Sequence, residues 1–236
     1  MAALGNAGQV DESFVMLDRM AAEGFPPTVE SYISALIGCQ KTGNWQSALL
    51  VLDQAKSRGV ANTKIYAWTI TIVANAAQLE NAMYLFEEMR SAGIPPDTQC
   101  FTYVIAACAN KFEPEWQRAL QLLGEMRAKR IKRDQYTYMY VIRACARADQ
   151  WQLALALLAE MRDMGLPPIE GAYDSVMMAC RNADRMEVVE AISQGRMETP
   201  AISGKWPENF YFEAALEAAT ISKASERRAQ RTSLPF

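Results

Sequence analysis

An aromatic residue recurs along this chain at a nearly constant interval, and each copy opens a similar run of residues. The aromatics are Tyr32, Tyr66, Phe101, Tyr138 and Tyr173, at spacings of 34, 35, 37 and 35 residues. Sixteen residues after each, or eighteen in the third run, comes a small residue: Ala48, Ala82, Ala119, Ala154 or Val189. A fixed internal period of this length is the sequence signature of a repeat architecture. The chain is therefore predicted to bury its apolar surface repeat against repeat, without one central core.

The clearest copy of the repeat, residues 135–169, reads as two short amphipathic helices followed by a stop. Its first half, QYTYMYVIRACAR, places apolar residues at helical spacing, and we expect a first helix over Tyr138–Arg147. Its second half, WQLALALLAEM, carries an apolar stripe at i, i+3, i+4 and i+7. Gly165 permits the left-handed turn that ends a helix, and the Pro-Pro pair after it prevents continuation. Each repeat is thus predicted to be a pair of helices.

Two further columns mark where these helices begin. A side-chain oxygen that can cap a first helix stands at Thr28, Thr63, Asp97 and Asp134, whereas Ile169 breaks the column. The second helix is predicted to begin at Trp45, Leu79, Trp116, Trp151 and Met186. Because tryptophan is strongly buried on average, we expect the three tryptophans of this column to lie in the core between successive repeats.

The repeat pattern divides the chain into seven segments. We predict a partial repeat at 1–28, full repeats at 29–63, 64–97, 98–134 and 135–169, a degenerate repeat at 170–202, and a C-terminal capping helix with a tail at 203–236. The third full repeat carries a two-residue insertion around Phe112, in the turn between its helices, where extra residues cost little. Met1 aligns partway along a first helix, so we expect a fragment, a processed form or part of a longer chain. The capping helix would cover an exposed apolar face; alternatively, its aromatic residues 210–212 dock on a partner.

The overall charge argues against a general attraction to nucleic acid. The formal net charge is −3 and the pI is about 5.2, so the whole chain has no basic field that would steer a polyanion toward it. No apolar run approaches the roughly 20 residues that a membrane-spanning helix needs. We therefore expect no membrane insertion, and any contact with nucleic acid must come from local clusters of charge.

Five cysteines and no histidine restrict the chemistry further. Cys39, Cys108, Cys145 and Cys180 share one column, seven residues after the aromatic, and only Cys100 lies outside it. Residues of one column in successive repeats are about 10 Å apart at helix-packing distance, which is too far for a disulfide. Without histidine or a Cys-x-x-Cys pair, zinc is not expected. The column is best explained as a small apolar packing residue.

The sequence also lacks the groups that catalysis needs. It has no histidine base, no glycine-rich phosphate loop and no carboxylate pair outside predicted solvated helix faces. We therefore expect a protein that is not an enzyme and has no cofactor, no metal and no small-molecule substrate.

The repeat resembles that of the pentatricopeptide repeat family. The helix ending EEMRSAGIPPD (Glu87–Asp97), its variants LLGEMRAKRIKRD and LLAEMRDMGLPPI, and the openings TYVIAACAN and TYMYVIRACAR carry the resemblance over roughly residues 1–189. Tetratricopeptide repeats have a similar length, but their W-x-x-L-G-x-x-Y pattern is absent. The resemblance implies an all-α fold, a right-handed α–α superhelix. It also implies binding of single-stranded RNA, one base per repeat, in a chloroplast or mitochondrion.

In this family the residue after the opening aromatic and the last residue of the repeat together read a base edge. The corresponding pairs here are Ile33 with Thr63, Ala67 with Asp97, Thr102 with Asp134, and Met139 with Ile169. Thr102 with Asp134 is similar to the family pair associated with guanine, while Ala67 with Asp97 keeps only the acidic partner. Ile33 and Met139 offer no hydrogen bond. The candidate readout residues are therefore Thr102, Asp134, Ala67 and Asp97. Both aspartates are also expected at helix N-caps, which would explain them without RNA.

A second set of candidates lies nine residues after the aromatic, where the family tends to contact phosphate. The residues are Lys41, Asn75, Asn110, Arg147 and Asn182, and none is acidic. Positions one, five and nine share a face of the first helix, which adds Arg143 to the candidates. A cluster of basic residues surrounds the junction of the third and fourth full repeats: Arg127, Lys129, Arg130, Lys132, Arg133, Arg143 and Arg147. The alternative is a solvated polar stripe at the helix ends.

The sequence is consistent with three hypotheses about function. The chain binds single-stranded RNA in an organelle and acts in transcript processing, stability or translation. Alternatively, it is a structural accessory subunit of a large organellar complex, such as a ribosome or a photosynthetic or respiratory assembly, and binds protein. The third hypothesis is a regulatory helical-repeat adaptor elsewhere in the cell. The acidic pI and the broken readout pairs favour the second hypothesis over the first, while the resemblance and the Lys/Arg/Asn column favour the first.

Overall fold

The computed structural model of the chain describes residues 10–193, and between them it contains eleven α-helices and no strand. The helices are α1 (Val10–Ala22), α2 (Val29–Thr42), α3 (Trp45–Ser57), α4 (Thr63–Asn75), α5 (Leu79–Ser91), α6 (Thr98–Asn110), α7 (Trp116–Ala128), α8 (Gln135–Arg147), α9 (Trp151–Asp163), α10 (Glu170–Asn182) and α11 (Met186–Ser193). The predicted capping helix and tail at 203–236, with its aromatics at 210–212, and the ends of the two outer repeats lie outside the described residues.

The second helix of each repeat begins where its column predicts. Helices α3, α5, α7, α9 and α11 start at Trp45, Leu79, Trp116, Trp151 and Met186. The first helices begin earlier than expected: α8 starts at Gln135, three residues before Tyr138. The added turn is polar and lies outside the apolar pattern, so periodicity alone does not reveal it. A capping side chain stabilises this turn by binding its otherwise unpaired amides.

One predicted cap is wrong. Thr63 is the first residue of α4, and Asn62 is the cap, because its Oδ1 accepts the Ile65 N–H at 3.1 Å. The Thr63 hydroxyl instead donates to the Pro95 carbonyl at 3.3 Å. The turn between Gly59 and α4 is one residue shorter than the turns after Gly24, Gly93 and Gly165, so the residue four positions after Gly59 is already helical. Ile169, the break in the column, stands before α10 and makes no side-chain cap.

The described part of the chain divides into two compact units, with the boundary between residues 107 and 108. In the first unit, α2 packs against α1, α3 and α4, while α4 also packs against α3 and α5. In the second unit, α8 packs against α7, α9 and α10, while α10 also packs against α9 and α11. Helices α2 and α8 therefore each contact the second helix of their own repeat and the first helix of the next repeat. This is the packing by which stacked repeats bury a continuous apolar layer.

The core of each unit is built from the repeated columns. Tyr32, Tyr66, Phe101 and Tyr138 are buried, as are the alanines Ala48, Ala82, Ala119 and Ala154 and the methionines Met89, Met126 and Met161. Tyr173, the last aromatic of its column, is half-buried. The Phe86 and Phe101 rings meet edge to face, with centroids 4.8 Å apart, an arrangement that aromatic quadrupoles favour.

All five cysteines are free and buried, as a packing role predicts. Burial raises the pKa of Cys39 to about 11 and that of Cys145 to about 12. The thiols are therefore protonated at neutral pH and poor nucleophiles.

The prediction that the three tryptophans lie in the core is wrong. Trp45, Trp116 and Trp151 are all half-buried. Each is the first residue of its helix, so its ring lies at the end of the packed layer, where one edge meets water. The ring of Trp151 still contacts the next repeat, since the Arg185 guanidinium stacks over it at 5.3 Å.

Within residues 10–193, the helices are too short and too polar for any of them to cross a membrane.

Candidate nucleic-acid interface

In the first unit, the candidate face runs along α2 and α4 through positions one, five and nine after the aromatic. On α4 the side chains at positions one and five are buried. Ala67 and Thr71 are each 2% exposed, and the Thr71 hydroxyl donates to the Ala67 carbonyl at 2.7 Å. The Gln99 amide in turn donates to the Thr71 hydroxyl at 3.3 Å, so Gln99 covers this part of the face. Only the ninth position, Asn75, is exposed.

Helix α2 shows the same gradient toward its carboxyl end. Ile33 and Ile37 are half-buried, while Lys41, the ninth position, is exposed. A carbon-only side chain at the first position can pack against a base but cannot distinguish its edge. The polar groups of this unit's candidate face are thus concentrated where the first helices end.

The best predicted readout pair divides between the two units, Thr102 in the first and Asp134 in the second. Thr102 is 6% exposed on α6. Asp134 caps α8, where its Oδ1 accepts the Thr137 N–H at 2.8 Å and the Thr137 hydroxyl at 2.9 Å. Asp97, the acid of the other candidate pair, accepts the Cys100 N–H at 3.0 Å. Both acids therefore have a structural role as helix caps, and their role as base readers stays a prediction.

In the second unit, Met139 occupies the first position of α8 and is half-buried. It lies against α10, because a Cβ built on Gly171 would come within 3.1 Å of its sulfur. The glycine lets the two first helices approach closely here. One turn along α8, Arg143 is exposed, and on α10 Asn182 is exposed as well.

Arg147, the ninth position of α8, has a partner that its sequence position did not reveal. Its guanidinium Nη1 donates to the Ala109 carbonyl in the last turn of α6. The last four carbonyls of a helix lack partners within it and carry partial negative charge. Arg147 thus satisfies a helix end of the preceding repeat, beside the half-buried Asn110. The positive charge of Arg147 is therefore partly directed at this carbonyl inside the protein.

The basic segment 127–147 contains seven basic residues and one acid. Several of its cations have acidic partners: Arg127 and Arg133 lie 3.8 and 3.7 Å from Glu160, and Lys129 lies 2.6 Å from Glu125. Arg130 adopts a left-handed conformation, φ 55°, where three other repeats have glycine. That conformation costs a non-glycine residue roughly 1–2 kcal/mol. The Arg130 side chain is exposed to solvent.

Ion pairs join successive repeats, and they were not predicted from the sequence. Acids precede and bases follow the methionine column, and they pair with the neighbouring repeat: Lys56 with Glu88, and Arg127 with Glu160. The opening tyrosines complete each group, since Tyr66 donates to Glu88 at 3.2 Å and Tyr138 donates to Glu160 at 2.9 Å. The recurring Glu-Met-Arg triplet is the feature of the sequence that could have predicted these pairs.

These contacts shift the proton affinities of the groups involved. Burial, reinforced by the Glu88 carboxylate, raises the pKa of Tyr66 to about 12. Hydrogen bonding to Glu88 raises the pKa of Lys56. Burial and the Glu160 charge likewise raise the pKa of Tyr138. All three groups keep their protons at neutral pH, so the clusters act as fixed links between repeats.

Residues 10–193 bring together no group of three histidine, cysteine, aspartate or glutamate side chains that could hold a metal ion.

The comparisons with known proteins agree on the class of protein. A family model described as the pentacotripeptide-repeat region of PRORP matches residues 62–208, more than half of the chain, and a model of the PPR repeat matches residues 1–25. The helices, their pairing and these matches define a helical-repeat protein with the α–α superhelical fold. The chain belongs to the pentatricopeptide repeat family.

Two curated relatives are similar over part of the chain. A chloroplastic pentatricopeptide repeat-containing protein of Arabidopsis thaliana is 29% identical over 97 residues, which is 40% of this chain and 20% of the relative. The chloroplastic pentatricopeptide repeat-containing protein 10 of Zea mays is 30% identical over 112 residues, 45% of this chain and 14% of the relative. The matched regions span a fifth or less of these relatives' lengths.

Solved structures show the same fold. The pentatricopeptide repeat protein PPR10 from maize matches with a TM-score of 0.65 and 20% identity, over 100% of this chain and 34% of that one. Its complex with an 18-nt psaJ RNA element gives a TM-score of 0.60 and 21% identity, over 99% and 33%. The PPR domain of Arabidopsis thaliana protein-only RNase P 1, in complex with tRNA, gives 0.59 and 18%, over 77% and 95%.

Proposed function

We propose that this chain is a non-catalytic pentatricopeptide-repeat module that binds single-stranded RNA in a chloroplast or mitochondrion and acts in transcript processing, stability or translation. Family membership supports the proposal, as does the likeness of fold to a maize protein that was crystallised with an 18-nt RNA element. The organelle is supported by the two relatives, both chloroplastic by name.

The observation that carries the proposal is the polar column at the ends of the first helices. Lys41, Asn75 and Asn182 are exposed and non-acidic, and they stand at equivalent positions in three repeats. The carboxyl end of a helix presents carbonyls and repels anions, so side-chain donors are needed to hold a phosphate there. Lysine and asparagine supply such donors. Within the first unit, Lys41 and Asn75 on successive repeats suit a strand that passes one nucleotide per repeat.

We assign the main affinity to phosphates and only limited readout to bases. The first positions of the four full repeats are apolar or nearly closed, so few base edges can be hydrogen-bonded. Thr102 with Asp134, and Asp97 beside Ala67, remain the candidate readers. Arg143 and the surrounding basic segment would supply the strongest phosphate contacts in the second unit, with Asn110 and Arg147 at its edge.

The test is a titration of the purified chain with mixed-sequence single-stranded RNA at several salt concentrations. The proposal expects a Kd tighter than roughly 10⁻⁴ M at low salt, with affinity falling as salt rises. Arg143→Ala should lower the slope of log K against log salt by about 0.7, the loss expected for one phosphate contact with a single strand. Arg118→Ala removes an exposed arginine from a second helix and is the matched control, with an unchanged slope.

Affinity weaker than roughly 10⁻⁴ M even at low salt would overturn RNA binding. Equal changes of slope in the two variants would instead show that RNA responds to net charge alone and has no preferred face.

The closed readout positions favour a second candidate function, that of an accessory subunit binding protein in a large organellar complex. Under that hypothesis the tagged protein co-purifies with the complex after ribonuclease treatment. Release of the protein by ribonuclease would favour the RNA-binding function.

A further inference from the structure

The second helices of the first unit expose large apolar side chains at one repeated position. Val15 on α1, Leu50 on α3 and Tyr84 on α5 are 68%, 59% and 68% exposed. Each stands two residues after the small residue of its own helix, Ser13, Ala48 or Ala82, which faces the core. The three side chains therefore point away from the packed layer at equivalent places. Scattered exposed apolar residues are common on protein surfaces, but a repeated position is not scatter.

An exposed acid follows each of these residues one helical turn later. Asp18, Asp53 and Glu87 come three residues after Val15, Leu50 and Tyr84, and their side chains are 67%, 67% and 59% exposed. Residues i and i+3 are neighbours on a helix surface. Each second helix of this unit thus presents one apolar residue and one carboxylate side by side. We call these six residues the helix-B face.

Contacts between the helices hold the three pairs next to one another. The Asp18 carboxylate accepts from Gln54 at 2.6 Å and from Arg58 at 3.0 Å, which links α1 to α3. Lys56 pairs with Glu88 and links α3 to α5. Asp53 and Glu87 pair with cations of their own helices, the exposed Lys56 and the half-buried Arg90, at 3.1 and 3.3 Å. Exposed pairs of this kind are weak, so the carboxylates can accept a second cation.

The surrounding charge selects the kind of partner. Residues 10–107 contain ten acidic and six basic side chains. This unit therefore disfavours a polyanion on its outer surface and favours a basic ligand. The second unit offers an internal comparison, since its equivalent positions are Gln121 with Gly124 and Ala156 with Ala159. It has neither the large apolar residues nor the acids.

The spacing of the face fits a helix laid across it. Helices α1, α3 and α5 are neighbours joined by direct side-chain bonds, which places their axes on the order of 10 Å apart. Seven residues of an α-helix span about 10.5 Å. A helix crossing α1, α3 and α5 would meet each successive apolar residue with every seventh residue of its own. Its basic side chains, displaced to one side of that line, would reach the row of carboxylates.

We propose that the helix-B face is a docking site for a basic amphipathic helix of a protein partner, with apolar residues at i, i+7 and i+14. It lies on the second helices, whereas the proposed RNA contacts lie on the first helices. The module would thereby hold RNA and a protein at the same time. The helix-B face would be the protein-binding surface of the second candidate function. Docking on this face does not depend on RNA binding.

The test uses a synthetic helical peptide with leucine at every seventh position, flanked by lysine and arginine, titrated into the full chain. We expect saturable binding that Leu50→Lys weakens at least tenfold, because the new cation displaces an apolar contact and repels the peptide. Gln121→Lys is the matched control: it adds the same charge at the equivalent exposed position of α7, and the affinity should stay within twofold. A peptide with glutamate in place of the basic residues should not bind.

Failure of the basic peptide to bind, or equal weakening by both substitutions, would overturn the proposal. Circular dichroism of the Leu50→Lys variant checks that it folds, as expected for a substitution at an exposed position. RNA affinity, measured on the same samples, is expected to be unchanged by Leu50→Lys. If the unaltered chain does not bind RNA, the proposed function alone is contradicted. If it does not bind the peptide, the docking site alone is contradicted.

Discussion

At the scale of single residues, the opening aromatic of each repeat does more than fill the core. The Tyr138 hydroxyl donates to Glu160, while Arg133 donates to the same hydroxyl at 3.3 Å. Glu160 is only 14% exposed, and its second carboxylate oxygen has no hydrogen-bond donor among residues 10–193. A buried carboxylate is costly unless it is paired, so this tyrosine helps to keep a charge inside the junction of two repeats.

Tyr138→Phe is therefore expected to destabilise the protein although the same column holds phenylalanine at Phe101. Hydrogen bonds to charged groups contribute about 1.5–3 kcal/mol, and the free energy of unfolding should fall by about that amount. Tyr84→Phe removes a hydroxyl from a side chain that is 68% exposed and should change it by less than about 0.5 kcal/mol. Urea denaturation of the two variants measures the difference, and equal midpoints would show that Glu160 needs no tyrosine.

At the scale of the helix, apolar spacing predicts the second helices well and the first helices less well. Trp45 or Leu79 begins a helix where the apolar stripe begins, so the pattern contains the boundary. The first helices start three residues before the opening aromatic, and this limit depends on which side chain caps the helix. Asn62 caps α4 because it stands four residues before Tyr66, the place that Asp134 holds before Tyr138. The column counted back from the aromatic contains this cap, whereas the column counted forward from Gly59 points to Thr63.

Asp134 allows the role of a cap to be separated from the role of a base reader. Asparagine caps a helix as well as aspartate does, whereas alanine costs about 0.5–2 kcal/mol. Asp134→Ala should therefore lower stability by about 1 kcal/mol, and Asp134→Asn should leave it nearly unchanged. If Asp134 also reads a base, Asp134→Asn will change the preference at one nucleotide by about 1–3 kcal/mol, the range known for base contacts in DNA. Unchanged preference would leave Asp134 a helix cap and nothing more.

At the scale of the whole molecule, the internal period predicted the helical repeats, and the residues around the Glu-Met-Arg triplet carried the resemblance to the family. The candidate interface was less predictable, because position in a repeat does not reveal a partner. Arg147 occupies a phosphate column, yet its guanidinium binds the Ala109 carbonyl. Ala67 occupies a readout column, yet Gln99 and Thr71 close the surface beside it. Such contacts join residues about 30 to 40 positions apart, and a single sequence without its fold does not show them.

The distribution of charge leads to a last prediction about where RNA lies. Residues 10–107 carry more acids than bases, whereas segment 127–147 carries seven bases and one acid. Phosphate binding follows local cation density, since each neutralised phosphate releases counterions. Ultraviolet cross-linking of a short uridine-rich RNA should therefore concentrate on peptides from 127–147, with weaker labelling near Lys41 and Asn75. Raising the salt from 50 to 200 mM should remove the labelling of the first unit before that of the second. Cross-links concentrated between residues 10 and 107 would contradict a phosphate-led mode of binding.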